Sequence, residues 1–180
     1  MFTHHITRDL ALEILEARHA DELYQLTDSN REHLRQWLPW VDKIKSVEET
    51  RAFIHTTRRQ LSDNNGFQTV IRHRGDLVGA VGHHGISWNN RSTSLGYWLA
   101  QEAQGKGIMT RSCRVFLEHA FLDLALNRVE IRCAVENTRS RAIPERLGFS
   151  PEGVIRDAEW LYDHYVDHVI YGLLTSEWKK

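Results

Sequence analysis

Cysteine is scarce in this chain: two residues in 180, Cys113 and Cys133. Both fall in apolar periodic stretches, so the sequence offers free buried thiols rather than a disulfide framework, which fits a reducing cytoplasmic setting. Charge of one sign is lacking too. Twenty-three Lys and Arg stand against 24 Asp and Glu, a formal net charge of −1, without the basic surplus of a general nucleic-acid binder. Clusters such as Arg58-Arg59 and Arg72-His73-Arg74 read as solvated faces. No stretch approaches the ~20 apolar residues that a membrane span needs, and Met1 to Leu10 lacks the apolar centre of a signal peptide. Linkers, repeats and low-complexity tracts are also missing. The expectation is one domain spanning residues 1–180, with enough chain for one substantial core.

Histidine, by contrast, is plentiful, with 11 residues. His83-His84 and His164 with His168 invite a metal reading, but no His, Cys or carboxylate set has convincing ligand spacing, so no metal is expected.

Hydrophobic periodicity supplies the elements. Leu10, Leu12 and Ile14 alternate as a first strand. From Ala20 the period lengthens, and Leu23, Leu26, Leu34, Trp37 and Leu38 fit one or two helices interrupted around Asp28-Ser29-Asn30. Ser46 with Glu49 forms a capping box. The helix that it opens runs to about Leu61 and is expected to bury Val47, Phe53 and Ile54. Strands follow at Phe67 to Arg72, Leu77 to Val81 and Thr93 to Leu99, the first two joined by a turn at Arg74-Gly75-Asp76. An amphipathic helix carries Val115, Phe116, Ala120, Phe121 and Leu124, ending near Asn127. Val129, Ile131, Cys133 and Val135 alternate as a strand. A short helix spans Thr138 to Leu147, and final strands span Phe149 to Arg156 and Val166 to Leu174. Such an order implies an α/β or α+β sheet covered by helices on both faces.

Two segments carry chemistry. Gln104-Gly105-Lys106-Gly107-Ile108-Met109-Thr110 joins a strand to a long helix. Glycines there let backbone amides face a ligand, and the helix start offers unpaired N–H groups suited to a pyrophosphate. A plain tight turn would use the same residues. The spacing is not that of a P-loop or of a three-glycine dinucleotide site. The second segment, Asn137-Thr138-Arg139-Ser140, follows a strand, and Leu147-Gly148-Phe149 closes its helix. An Asn there is equally a helix cap.

Together the two segments resemble the GNAT superfamily of acetyl-CoA-dependent N-acetyltransferases. Gln104, Gly107 and Met109 fall on its Gln/Arg-x-x-Gly-x-Gly/Ala pattern, and Asn137, Ser140, Gly148 and Phe149 on its Asn-x-x-Ser/Ala strand–helix pattern. Within it the chain is similar to the ribosomal-protein-serine N-acetyltransferases over nearly its whole length. That likeness includes Asn30-Arg31, Trp37-Leu38-Pro39-Trp40, Gly96-Tyr97-Trp98-Leu99 and Ala158-Glu159.

The resemblance implies a mixed, mostly antiparallel sheet of six to seven strands with a central V-shaped splay. It also implies acetyl-CoA as co-substrate, held by Trp98, Leu99, Ala100, Gln104, Gly105, Lys106, Gly107, Ile108, Met109, Thr110 and Asn137. Pantetheine would pair with the free edge of residues 98–100, and an N–H near Leu99 would stabilise the oxyanion. Many relatives place an acidic Tyr seven residues after the Asn; here that position is Pro144. Ser140 is therefore the candidate donor to the thiolate, with a helix-start hydroxyl as the alternative. Glu159 is the candidate base through a water, with a surface glutamate as the alternative. Arg35, Trp37 and Trp40 are expected at the acceptor, a protein N-terminus or a small amine. A non-catalytic acyl-CoA-binding module stays open. The apolar strand Val169 to Leu174 suggests a homodimer through a strand edge.

Overall fold

The computed structural model describes residues 3–179. Thirteen elements follow in order: β1 (Thr3–Thr7), β2 (Leu10–Ile14), α1 (Ala20–Ser29), α2 (Arg31–Arg35), α3 (Val47–Ser62), β3 (Gln68–His73), β4 (Asp76–Ser87), β5 (Ser92–Leu99), α4 (Ile108–Glu118), β6 (Arg128–Ala134), α5 (Thr138–Arg146), β7 (Ser150–Leu161) and β8 (His164–Leu174). The strands form one sheet in the order β1-β2-β3-β4-β5-β6-β8-β7. Every neighbouring pair is antiparallel except β5 and β6.

Alternation decides which way the sheet faces. Val129, Ile131 and Cys133 of β6 point to one side, where Phe116, Leu117 and Cys113 of α4 meet them in the larger core. On the other side Leu15, Ala20, Leu23, Ile54, Val70 and Leu77 make a smaller cluster between α1, α3 and the sheet. The β3–β4 hairpin turns on Arg74 and Gly75, both at positive φ (57° and 93°). A two-residue turn of that kind matches the right-handed twist of the strands it joins. Ser46 caps α3 by accepting the Glu48 N–H at 3.2 Å.

Four expectations change. The sheet has eight strands rather than six to seven, because β1, Thr-His-His-Ile-Thr, is a polar edge strand with no apolar alternation to reveal it. Phe53 is exposed, not buried, because the inward stripe of α3 runs through Val47, Thr50, Ile54 and Thr57. The amphipathic helix ends its regular part at Glu118 and finishes as a π turn over His119–Asp123. Finally, the segment Val169 to Leu174 cannot offer a free edge to a second subunit: β8 pairs with β6 on one side and β7 on the other. Among the described residues, no helix is long and apolar enough to cross a membrane, and no group of three His, Cys, Asp or Glu residues could hold a metal ion.

One core residue is costly. His83 is fully buried with both ring nitrogens lacking a hydrogen-bond partner. It is packed by Phe67, Phe116 and His119 at ring-centroid distances of 5.8, 5.0 and 6.2 Å. Burial, helped by His119 and His84, pushes its pKa down to about 3 from 6.5. The unfolded chain binds this proton at about pH 6.5 and the folded chain only near pH 3. Stability from this site is therefore whole above pH 6.5 and is lost as pH falls towards 3. His83→Leu should abolish that loss, so its stability advantage over wild type grows by about 2 kcal/mol between pH 7 and pH 5. Urea melts at the two pH values check this, and an unchanged difference would refute it.

Candidate active site

The site begins where β5 and β6 part. They pair in parallel only through Ser92, Thr93 and Ser94 against Arg128, Val129 and Glu130. Beyond that, β5 stays on β4 up to the Leu99–Gly79 pair, and β6 stays on β8 up to the Ala134–His168 pair. A V-shaped gap opens between them. The Ala100 N–H donates to the Val78 carbonyl at 2.9 Å. Because antiparallel partners alternate, Tyr97 and Leu99 then turn their own N–H and C=O groups away from β4 and into the gap. A groove of about 1520 Å³ runs through it, lined by residues of α2, β5, the 101–111 segment and α5.

The 101–111 segment closes one end. Gly105 and Gly107 sit at φ of 74° and 69°, the left-handed region that other residues enter at a cost. A Cβ on either would meet nothing within 4 Å, so both face open space. Gly107 is the N-cap of α4, and with no side-chain cap the first amides of the helix are left to a ligand. Met109 packs in the larger core beneath the groove. Gln104 is held at both ends of its amide. Its Nε2 lies 3.0 Å from His33 Nε2, and its Oε1 accepts from Arg139 Nη1 at 2.8 Å. His33, on α2, is held below the usual imidazole pKa by burial, and a bond to the Leu99 carbonyl works the other way. A neutral ring has the lone pair to accept from the Gln104 amide.

Three side chains meet on the larger-core face of the V. Ser140 Oγ lies 3.3 Å from Cys133 Sγ and 3.4 Å from the Tyr97 hydroxyl. Asn137 is the N-cap of α5, its Oδ1 accepting the Ser140 N–H at 3.1 Å. Its amide nitrogen remains for a ligand.

The opposite face carries a different set. The register puts His168 beside Ala134 and Glu159 beside Val166, so both acidic and imidazole groups lie across the sheet from Cys133. Glu159 Oε2 is 3.5 Å from His168 Nε2. The β7–β8 turn reaches back to α2, where the Tyr162 hydroxyl donates to the Leu38 carbonyl at 2.5 Å and Arg35 lies 3.8 Å over the Tyr162 ring.

Of the residues expected from the sequence, Trp98, Leu99, Gln104, Gly105, Gly107, Ile108, Met109, Thr110, Asn137, Ser140 and Trp37 line the groove. Ala100, Lys106, Arg35, Trp40 and Glu159 lie outside its lining. Ala100 is buried with its N–H taken; Arg35 is paired with Asp42 at 3.0 Å; Trp40 packs 6.1 Å from Trp98. His33, Tyr97 and Arg139 line the groove without having been expected. Spacing gave no sign of them, since each reaches its partner from a distant part of the chain.

A family model of the acetyltransferase (GNAT) domain matches residues 9–150. The chain belongs to the GNAT acetyltransferase family. It is an N-acetyltransferase of the kind that takes acetyl-CoA as co-substrate. It is 38% identical over 180 residues to the protein YdaF of Bacillus subtilis (strain 168), covering 99% of this chain and 98% of that one. It is 30% identical over 171 residues to the ribosomal-protein-serine acetyltransferase of Escherichia coli (strain K12), covering 95% and 96%. The structure of the ribosomal alpha-N-protein acetyltransferase RimL in complex with coenzyme A is similar at a TM-score of 0.92 and 28% identity, covering 96% and 98%.

For a GNAT enzyme the Gly107 cap is the sensitive point of the donor end. Gly107→Ala should cost about 1 kcal/mol of stability through its positive φ. It should also weaken coenzyme A binding at least about tenfold, a loss of 1.4 kcal/mol or more. Calorimetric titration checks the second effect, and unchanged affinity would remove the α4 amides from the binding site.

Proposed function

We propose that this acetyltransferase moves the acetyl group of acetyl-CoA to the N-terminal α-amine of a protein, with a ribosomal protein as the acceptor, in the cytoplasm. The observation that carries the reading is the gap through the sheet. A donor groove with Ser140 lies on one side, and a surface with Glu159 and the α2 lip lies on the other. Support for the acceptor comes from the Escherichia coli relative, a ribosomal-protein-serine acetyltransferase matched over nearly its whole length.

Pantetheine fits the free edge at Leu99, and the coenzyme phosphates fit the amides behind Gly107. The Trp98 main chain, Asn137 and Thr110 complete the donor wall, while Trp37, Trp40 and the Trp98 ring rim the acceptor side with Arg35 behind them. A protein α-amine, with a pKa of about 7.7–8.0 against about 10.4 for lysine, needs little help to reach the neutral form. Its nitrogen attacks the thioester carbonyl, a C–N bond forms, and the Leu99 N–H stabilises the oxyanion. Collapse breaks the C–S bond. The Ser140 hydroxyl gives its proton to the departing thiolate. The nitrogen loses its extra proton through water to Glu159, and Ser140 is reprotonated from solvent. The products of the neutral amine are an amide and free coenzyme A; the one proton released overall is the one the ammonium form gives up before attack.

Purified protein with acetyl-CoA should release free thiol on Ser- or Ala-terminal peptides and not on small amines. Release only with small amines would replace the protein acceptor, and binding without release on any amine would favour a non-catalytic module. Glu159→Gln should lower kcat about a hundredfold. An unchanged kcat would exclude Glu159 as the base.

A further inference from the structure

Within α5 every N–H is expected to bond the carbonyl four residues back. The Ser140 carbonyl therefore depends on residue 144, and Pro144 has no N–H to give. That carbonyl nevertheless has a donor. The Tyr97 hydroxyl, reaching from β5 across the V, bonds it at 3.1 Å. The same phenolic oxygen is the partner of Ser140 Oγ at 3.4 Å. One hydroxyl thus holds Ser140 by main chain and by side chain, while the Asn137 cap holds its N–H. Burial raises the Tyr97 phenol well above its ordinary pKa, so it keeps its proton and acts as a fixed donor.

We infer that Tyr97 is a positioning residue for acetyl transfer: it takes the carbonyl that Pro144 leaves without a helical donor, and so fixes the Ser140 hydroxyl at the wall of the V. A tyrosine from another strand thus supplies the donor that the proline removes from the helix. This inference rests on Ser140 as the proton donor to the thiolate.

The arrangement has a built-in reversal. In Pro144→Ala the helix regains an N–H for the Ser140 carbonyl, so the main-chain part of the Tyr97 bond becomes dispensable. The side-chain part does not.

The test is a set of purified variants assayed by thiol release, with thermal melts and coenzyme A titration on each: Tyr97→Phe, Ser140→Ala, the two combined, and Tyr97→Phe with Pro144→Ala. Tyr97→Phe should lower kcat about tenfold and leave the KM for acetyl-CoA within about twofold, as expected when orientation and not binding is lost. In the Ser140→Ala background it should have no further effect on kcat. Adding Pro144→Ala to Tyr97→Phe should recover the lost melting temperature, so the fold remains measurable even if Tyr97→Phe alone melts early. Unchanged kcat in Tyr97→Phe, or an equal further drop in the Ser140→Ala background, would overturn the inference while leaving Ser140 as donor. Unchanged kcat in Ser140→Ala would remove the donor reading itself, and the inference with it.

Discussion

The short parallel contact between β5 and β6 governs the rest of this structure. Three residues of each strand pair, and then each strand follows its other neighbour. The separation exposes main-chain groups of Tyr97 and Leu99 inside a folded protein, where an unpaired N–H or C=O is expensive. Such groups are ready to bond a ligand strand or an oxyanion without reorganisation. The crossover through α4 is what makes a parallel contact possible at all, and it delivers the Gly107 cap to the end of the same gap.

Helix ends and the site are built from the same bonds. The α4 start is uncapped by any side chain and opens on the groove, whereas the α5 start is capped by Asn137 and its first turn is completed by Tyr97. Arg141 anchors α5 from behind, donating to the Val135 carbonyl at 2.9 Å and to the Tyr171 hydroxyl at 3.1 Å, while Tyr171 bonds Glu145 at 2.8 Å. Ser140 therefore sits on a segment tied to β5, β6 and β8 together. That support fixes both the main chain and the hydroxyl of Ser140.

Division of labour across the sheet follows from strand parity. Cys133 and Val169 face the donor side, and Ala134, His168 and, through the β7 register, Glu159 face the other. The β7–β8 turn, tied to α2 through Tyr162, Leu38 and Arg35, keeps Glu159 and the tryptophan lip in one frame.

Much of this was legible in the chain itself. Alternation at Val129, Ile131 and Cys133, the capping serine before α3, and the glycines before α4 are local signals, because each depends on residues within a turn or a strand of one another. From them came the mixed sheet, the helices on both faces and the glycine turn before α4. Local pattern could not reveal β1, whose polar sequence is held by pairing with β2, nor the interior place of β8, whose apolar run looks the same between two strands as at an edge. It also could not join Tyr97 to Ser140, or His33 and Arg139 to Gln104, since those partners lie 35 to 71 residues apart. Periodicity fixes which face a residue takes within its own element; only the order of strands and the parting of β5 from β6 decide which distant side chains share a groove.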